Sequence, residues 1–261
     1  MYDTFTAWQP VPSPIASTST VSGTVRVMSE DGLEIRTLHS ANEMARCVTL
    51  FNQVWGTVTP LVGTELLVAI DHSGGYVAGA YESDNLVGAS FGFLADHRGE
   101  RALHSHVTGV LPGVQRGGVG RVMKEHQRNW ASERDIPWIV WTFDPLVRRN
   151  AWFNVEVLGG HITEYLPEFY GVMTDSINAQ DESDRLVVAW PTDASVPRPA
   201  TPAGSTRTEV PTPDDIVMLR RTDPAAAAAW RRTVREQLTK LLDDGGVVTG
   251  FTRDGAYIVH H

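Results

Sequence analysis

Residues 104–131 read HSHVTGVLPGVQRGGVGRVMKEHQRNWA, and this stretch constrains the fold more than any other part of the chain. Leu103–Val110 has the character of a strand, which Pro112 and Gly113 end. A glycine-rich turn follows, and Gly117–Arg134 then carries Val119, Val122, Met123 and Trp130 at helical spacing. Strand, glycine turn and amphipathic helix in that order call for a layered α/β arrangement. The turn also has the makings of an anion cradle. Glycines let the backbone come close to a ligand, and the first N–H groups of a helix lack intrahelical partners. The helix dipole adds to their pull, and Arg116 and Arg121 add charge. A pyrophosphate fits such a place.

Two familiar phosphate sites are excluded. No Gly-Lys-Ser/Thr follows, so this is not a P-loop. The glycines do not spell G-x-G-x-x-G, and the strand before them comes late rather than opening a βαβ unit. A Rossmann-type oxidoreductase is disfavoured on both counts.

The surrounding chain alternates strand and helix signals. Leu33–Leu38, Tyr76–Tyr81, Leu86–Leu94, Trp138–Phe143 and Leu186–Trp190 read as strands. Ala41–Trp55, Leu61–Ile70 and Arg148–Leu158 read as helices, the last stopped by Gly159-Gly160. Ser/Thr/Pro-rich composition marks residues 1–23 as a flexible tail and 191–207 as a linker. They bracket a main domain, 24–190, and leave a C-terminal extension, 208–261. In that extension Asp223 caps and Pro224 opens a helix running to Leu242, and Val247–Phe251 and Tyr257–Val259 form a closing strand pair.

Charge and cysteine usage narrow the function. The formal net charge of −9 repels nucleic-acid backbones and suits a cationic or amine-bearing substrate. The single cysteine, Cys47, permits no internal disulfide or thiolate metal cluster, and its apolar helical setting makes it a core residue. No histidine or carboxylate grouping has metal-site spacing, so no metal is expected. No apolar run is long enough for a membrane span, and the first residues lack the features of a secretory signal, so the cytoplasm is the expected location.

Gln115-x-x-Gly118-x-Gly120, at the start of a long helix just after a strand, resembles the acyl-CoA signature Q/R-x-x-G-x-G/A of the GNAT superfamily of N-acyltransferases. Asn150-Ala151 followed by Leu158-Gly159 resembles that family's second CoA-contacting element. The strings LHSHVTGVLP, WTFDPLVRRNAWFN, EFYGVMTDSIN and SDRLVVAW, with AAAWRRTVRE and VVTGF near the end, are similar to a bacterial GNAT subgroup found beside N-acylamino-acid racemases. Members of that subgroup are thought to acylate amino acids, with succinyl-CoA as one donor.

The resemblance implies an α/β GNAT fold. Its sheet is mixed but mostly antiparallel, has helices on both faces, and has its fourth and fifth strands splayed apart, here Leu103–Val110 and Trp138–Phe143. A small C-terminal α+β extension completes it. Pantetheine would lie between the splayed strands on backbone groups of Val110 and Leu111. Gln115, Arg116, Gly117, Gly118, Val119, Gly120 and Arg121 would hold the pyrophosphate, and Asn150 and Phe153 would line the thiol end. Acyl-CoA, acetyl-CoA or succinyl-CoA, is the implied co-substrate. An acyl carrier protein would fit the same slot, and a non-catalytic acyl-CoA-binding module is a further alternative. The partners implied are a small amine acceptor and a second copy in a homodimer, with no nucleic acid and no membrane.

Catalysis by this route needs a base for the amine proton and a partner for the departing thiolate. Family members place a carboxylate base eleven residues before the motif glutamine, which is His104 here. His106 and Thr108 share its face by period two, and His106 lies nearer the expected thioester. Many relatives carry a tyrosine acid where this chain has Val155, which leaves Tyr170 and Tyr165 as candidates, Tyr165 also as a substrate contact. Asp144, at the end of its strand, is placed to bind a substrate ammonium, and Arg231, beside Arg232 and Arg235, to hold a carboxylate or a CoA phosphate.

Overall fold

The computed structural model describes residues 15–21, 24–29, 32–57, 59–114, 118–171 and 181–261, with side chains from residue 32 onward. Nine strands form one sheet: β1 (Ile15–Val21), β2 (Thr24–Ser29), β3 (Leu33–Thr37), β4 (Tyr76–Glu82), β5 (Asn85–His97), β6 (Glu100–Val110), β7 (Trp138–Phe143), β8 (His161–Leu166) and β9 (Arg185–Pro191). Their spatial order is β1-β2-β3-β4-β5-β6-β7-β9-β8. Every pairing is antiparallel except β6 with β7, which is parallel. This is the α/β fold that the resemblance implies. β1 lies within the segment expected to be a flexible tail: its Ser/Thr-rich sequence, IASTSTV, pairs with β2 as an edge strand.

Helices cover both faces, and β4 shows why. Its alternating side chains are buried on both sides. Val77 and Tyr81 join the cluster under α1 (Ala41–Trp55) and α2 (Thr64–His72). Ala80 joins Val119, Val122 and Met123 of α3 (Val119–Ser132), and Tyr76 and Ala78 join Trp130. Local chemistry fixes the helix ends. Ser40 and Glu43 form a reciprocal capping box at the start of α1, and Gly56 ends it in the left-handed region. Cys47 is buried on α1, and burial pushes its thiol up to about 12, which keeps it inert.

The helix expected over Arg148–Leu158 is α4 (Arg148–Trp152) followed by one π-helical turn, Phe153–Val157, closed by Leu158 N–H donating to Phe153 O at 2.9 Å. Single π turns of this kind collect at functional sites.

The C-terminal residues add a second sheet, β10 (Arg207–Pro211), β12 (Ala256–His260) and β11 (Val247–Phe251) in that order, with α5 (Ile216–Thr222) and α6 (Pro224–Asp243). Val210, Val234, Leu238, Phe251 and Tyr257 lie in one apolar cluster with Trp141, Phe143 and Leu146. Burial of this size resists separation of the extension from the main sheet.

Candidate active site

The parallel ladder between β6 and β7 is short. Ala102 pairs with Trp138, Leu103 with Ile139 and His104 with Val140. Pairing then stops, while β6 runs on to Val110 and β7 to Phe143. The two strands form a fork whose apex is the His104–Val140 pair. On the β5 side, Leu111 N–H donates to Val87 O at 2.9 Å. Successive peptide groups of a strand turn to alternate sides, so those of Val110 face the fork and the Leu111 amide is turned away from it. Of the two residues expected to contact pantetheine through the backbone, Leu111 has its amide bonded within the sheet.

The β5–β6 register slips by one residue, because Phe91 pairs with Val107 and Gly92 with Ser105. His106 is the extra residue of a β-bulge, a device that re-aims side chains near active sites. The bulge breaks the expected period-two set. Val107 packs in the α1/α2 cluster, and a Cβ on Gly109 would meet Trp55 of α1. Thr108, between them, therefore faces α3 and not the histidine face. His104 and His106 do stay together: His106 Nδ1 lies 3.5 Å from His104 Nε2, and Phe93 rings both, stacked on His104 at 5.0 Å.

Burial lowers the His104 pKa to about 4, helped by His106 and Lys124, and burial also lowers that of His106. Both rings are neutral at pH 7. His106, exposed at its edge, is the better placed to accept a proton. Tyr170 lies by the same sheet face. Its hydroxyl is 3.5 Å from Thr142 Oγ1, and Thr142 stands two residues past Val140 on β7. The structure thus sets His104, His106 and Tyr170 on one face of the fork.

At the cradle, Gln115, Arg116 and Gly117 lie outside the described residues. Gly118 caps α3 at φ 73°, a left-handed conformation that glycine adopts without strain, and among the described residues no side chain caps the helix. A Cβ on Gly120 would come within 3.9 Å of the Phe153 ring, so the helix start and the π turn adjoin. Val119 is buried under the first turn, Arg121 is paired with Glu125 at 2.9 Å, and Asn150 is exposed on α4.

Three expected substrate contacts turn out to be internal. Asp144 is buried and pairs with Arg220 and with Arg231, whose Nη2 lies 3.3 Å away. Arg231, only 1% exposed, also donates to Asp181 at 2.6 Å. Burial opposes its charge, but Asp144 and Asp181 outweigh that and hold it well above the ordinary guanidinium range. The Tyr165 hydroxyl donates to buried Asp184 at 2.6 Å, and Arg235 pairs with the same carboxylate. The strand end and the helix face each looked like isolated charge in the sequence, but each neutralises the other, so Asp144, Tyr165 and Arg231 knit α6 to the sheet.

Sequence periodicity also missed a cluster under the fork. Lys124, on the buried side of α3, donates from Nζ to Ser105 Oγ at 2.7 Å and to Gln127 Oε1 at 3.3 Å, and sits 3.9 Å from the centre of a Trp141 ring. Trp141 Nε1 donates to Asn154 Oδ1 of the π turn at 3.1 Å. Lysine and glutamine inside a helix pattern read as solvent-facing, which hid them. A separate cleft of about 230 Å³ holds a chain from Asp71 through His39 to Thr37, at 2.9 and 3.2 Å. Its glycine amides, Gly74 and Gly75, are already bonded to the Asp71 and Ile70 carbonyls, so they offer a ligand no donors.

No protein-family model matches the chain, and no curated protein does. Solved structures similar to it include Arabidopsis thaliana Naa50 in complex with a CoA–peptide bisubstrate analogue, at 19% identity over 60% of this chain and 97% of that one, with TM-score 0.46. The ribosomal-protein-S18-alanine N-acetyltransferase of Escherichia coli is 14% identical over 64% of this chain and 99% of its own, with TM-score 0.47. A GNAT family acetyltransferase from Elizabethkingia anophelis with acetyl-CoA bound is 13% identical over 62% and 99%, with TM-score 0.48. At such identities the likeness is one of fold, and what those proteins bind or modify belongs to them.

Proposed function

We propose that this chain is an N-acyltransferase that moves an acyl group from acyl-CoA to the amine of an amino acid or another small metabolite. The observation that carries this reading is the fork between β6 and β7. A parallel ladder that stops at His104–Val140 leaves room for an extended arm to lie along β6 as a short strand would, with the Val110 peptide groups turned toward it. The start of α3, with glycine at 118 and 120, supports a pyrophosphate at the outer end of the same arm.

In this reading the acceptor amine approaches from the histidine face. Its nitrogen attacks the thioester carbonyl, and His106 takes the proton it sheds, with His104 and Phe93 holding the ring. Tyr170 and Thr142 border the acceptor on the β7 side. Acetyl-CoA and succinyl-CoA are the donors to try first. The test is release of free thiol from each, with amino acids and simple amines offered as acceptors. Acceptor-dependent release that His106→Ala suppresses supports the reading. Release that is independent of any amine, or unchanged by that substitution, contradicts it.

A further inference from the structure

Lys124 stands directly beneath the fork. Two of its neighbours, Ser105 and Trp141, are the residues that follow His104 and Val140, the last pair the strands make. The ammonium therefore closes the apex from the α3 side. Its surroundings are dry: Lys124 is 5% exposed, and Ser105, Trp141 and Gln127 are all buried. Among the described residues no carboxylate pairs with it, and it has a hydroxyl, an amide oxygen and an aromatic face instead. A buried cation so surrounded is only partly compensated. Next to it, Gln127 is fully buried and its Nε2 has no hydrogen-bond partner among the described residues. Two donors thus lie at one spot, short of an electron-rich group.

We propose that Lys124 is the acid of the reaction, its ammonium meeting the sulfur of the pantetheine arm lodged in the fork. This rests on the acyl-CoA reading above. As the acceptor nitrogen bonds to the thioester carbonyl carbon, the carbon–sulfur bond breaks and its electron pair stays on sulfur. Lys124 gives that sulfur a proton and becomes a neutral amine, while the proton shed by the acceptor nitrogen goes to His106. Water restores both residues after the thiol leaves.

The assignment fills a gap, since buried Val155 occupies the position where the resemblance places a tyrosine acid. Energetics favour it. Burial lowers the Lys124 pKa to about 7. An ordinary thiol ionises near about 8.5, so passing the proton to sulfur runs downhill. The titratable group of β6 within electrostatic reach of Lys124 is His104, on the other face of the sheet, and it is neutral at pH 7. The neighbours of Lys124 from α3 and β7, Gln127 and Trp141, do not titrate, nor does Asn154 behind the indole.

The test is to titrate the thiol of CoA bound to the full chain by its thiolate ultraviolet absorbance, with desulfo-CoA as the blank. In the wild type the bound thiol should ionise at least about one pH unit, a tenfold change in acidity, below free CoA. Lys124→Met, which keeps the length of the side chain and removes the charge, should still bind CoA and return the thiol to the free value. A wild-type thiol that ionises like free CoA overturns the proposal without any variant, and so does a lowered value that survives Lys124→Met. Failure of the wild type to bind CoA overturns the acyl-CoA reading itself, so the two failures are distinguishable.

Discussion

Arg231 Nη2 lies 3.3 Å from Asp144 Oδ2 in the interior, where the last long helix meets the end of β7. Arg220 shares the same carboxylate oxygen. Removing the carboxylate leaves two buried guanidinium groups short of charge. Asp144→Ala is expected to destabilise the chain by about 3–5 kcal/mol, read as a lower urea midpoint. A midpoint close to wild type would show that the network does not hold α6 to the sheet.

This pair also shows where the sequence stops being informative. Its partners stand 87 residues apart, and no local pattern links them, so each reads as a lone surface charge. Local signals fared better. The bounds of α1, Ala41–Trp55, follow from the helical spacing of its apolar residues, and β7, buried on both faces, follows from its apolar run. The Asp223 cap and the Pro224 that open α6 were likewise legible. The bulge at His106 was not, because one inserted residue depends on β5 register, and it moved Thr108 to the other face. Lys124 was hidden because a polar residue on a helix reads as solvated until the neighbouring helix and strands are placed.

His106 is the expected base, so His106→Ala should lower kcat by about 10²–10⁴-fold with little change in KM for the donor. Burial sets its pKa below the ordinary 6.5. The neutral ring therefore persists on acidification past that value, and the acid limb of the rate profile should fall below pH 6.5. A limb at or above 6.5 would point to a different base.

Lys124 links stability to pH with a definite sign. Its folded pKa, about 7, lies below the ordinary 10.5. Between these values the unfolded chain binds more protons, so this residue makes the fold more stable as pH rises from 7 toward 10.5 and least favourable at and below 7. Lys124→Met should be more stable than wild type at pH 6–7, by on the order of a few kcal/mol, with the gap closing as pH rises. Urea unfolding across that range checks it, and a gap that does not depend on pH contradicts the buried, displaced amine.

Gly118 sits at φ 73° with open space where a Cβ would go. Gly118→Ala should cost only about 1 kcal/mol of stability, from the left-handed backbone. Gly118→Glu adds a negative charge at the start of α3, where the proposed pyrophosphate lies.

That charge gives the most direct test of the central claim, that the fork and the start of α3 bind an acyl-CoA. Calorimetric titration of CoA, acetyl-CoA and succinyl-CoA into the wild type and into a Gly118→Glu, Gly120→Glu variant reads it. Binding to the wild type that the folded variant loses is the predicted result. No binding of any of the three to the wild type, or equal binding to the variant, would contradict it.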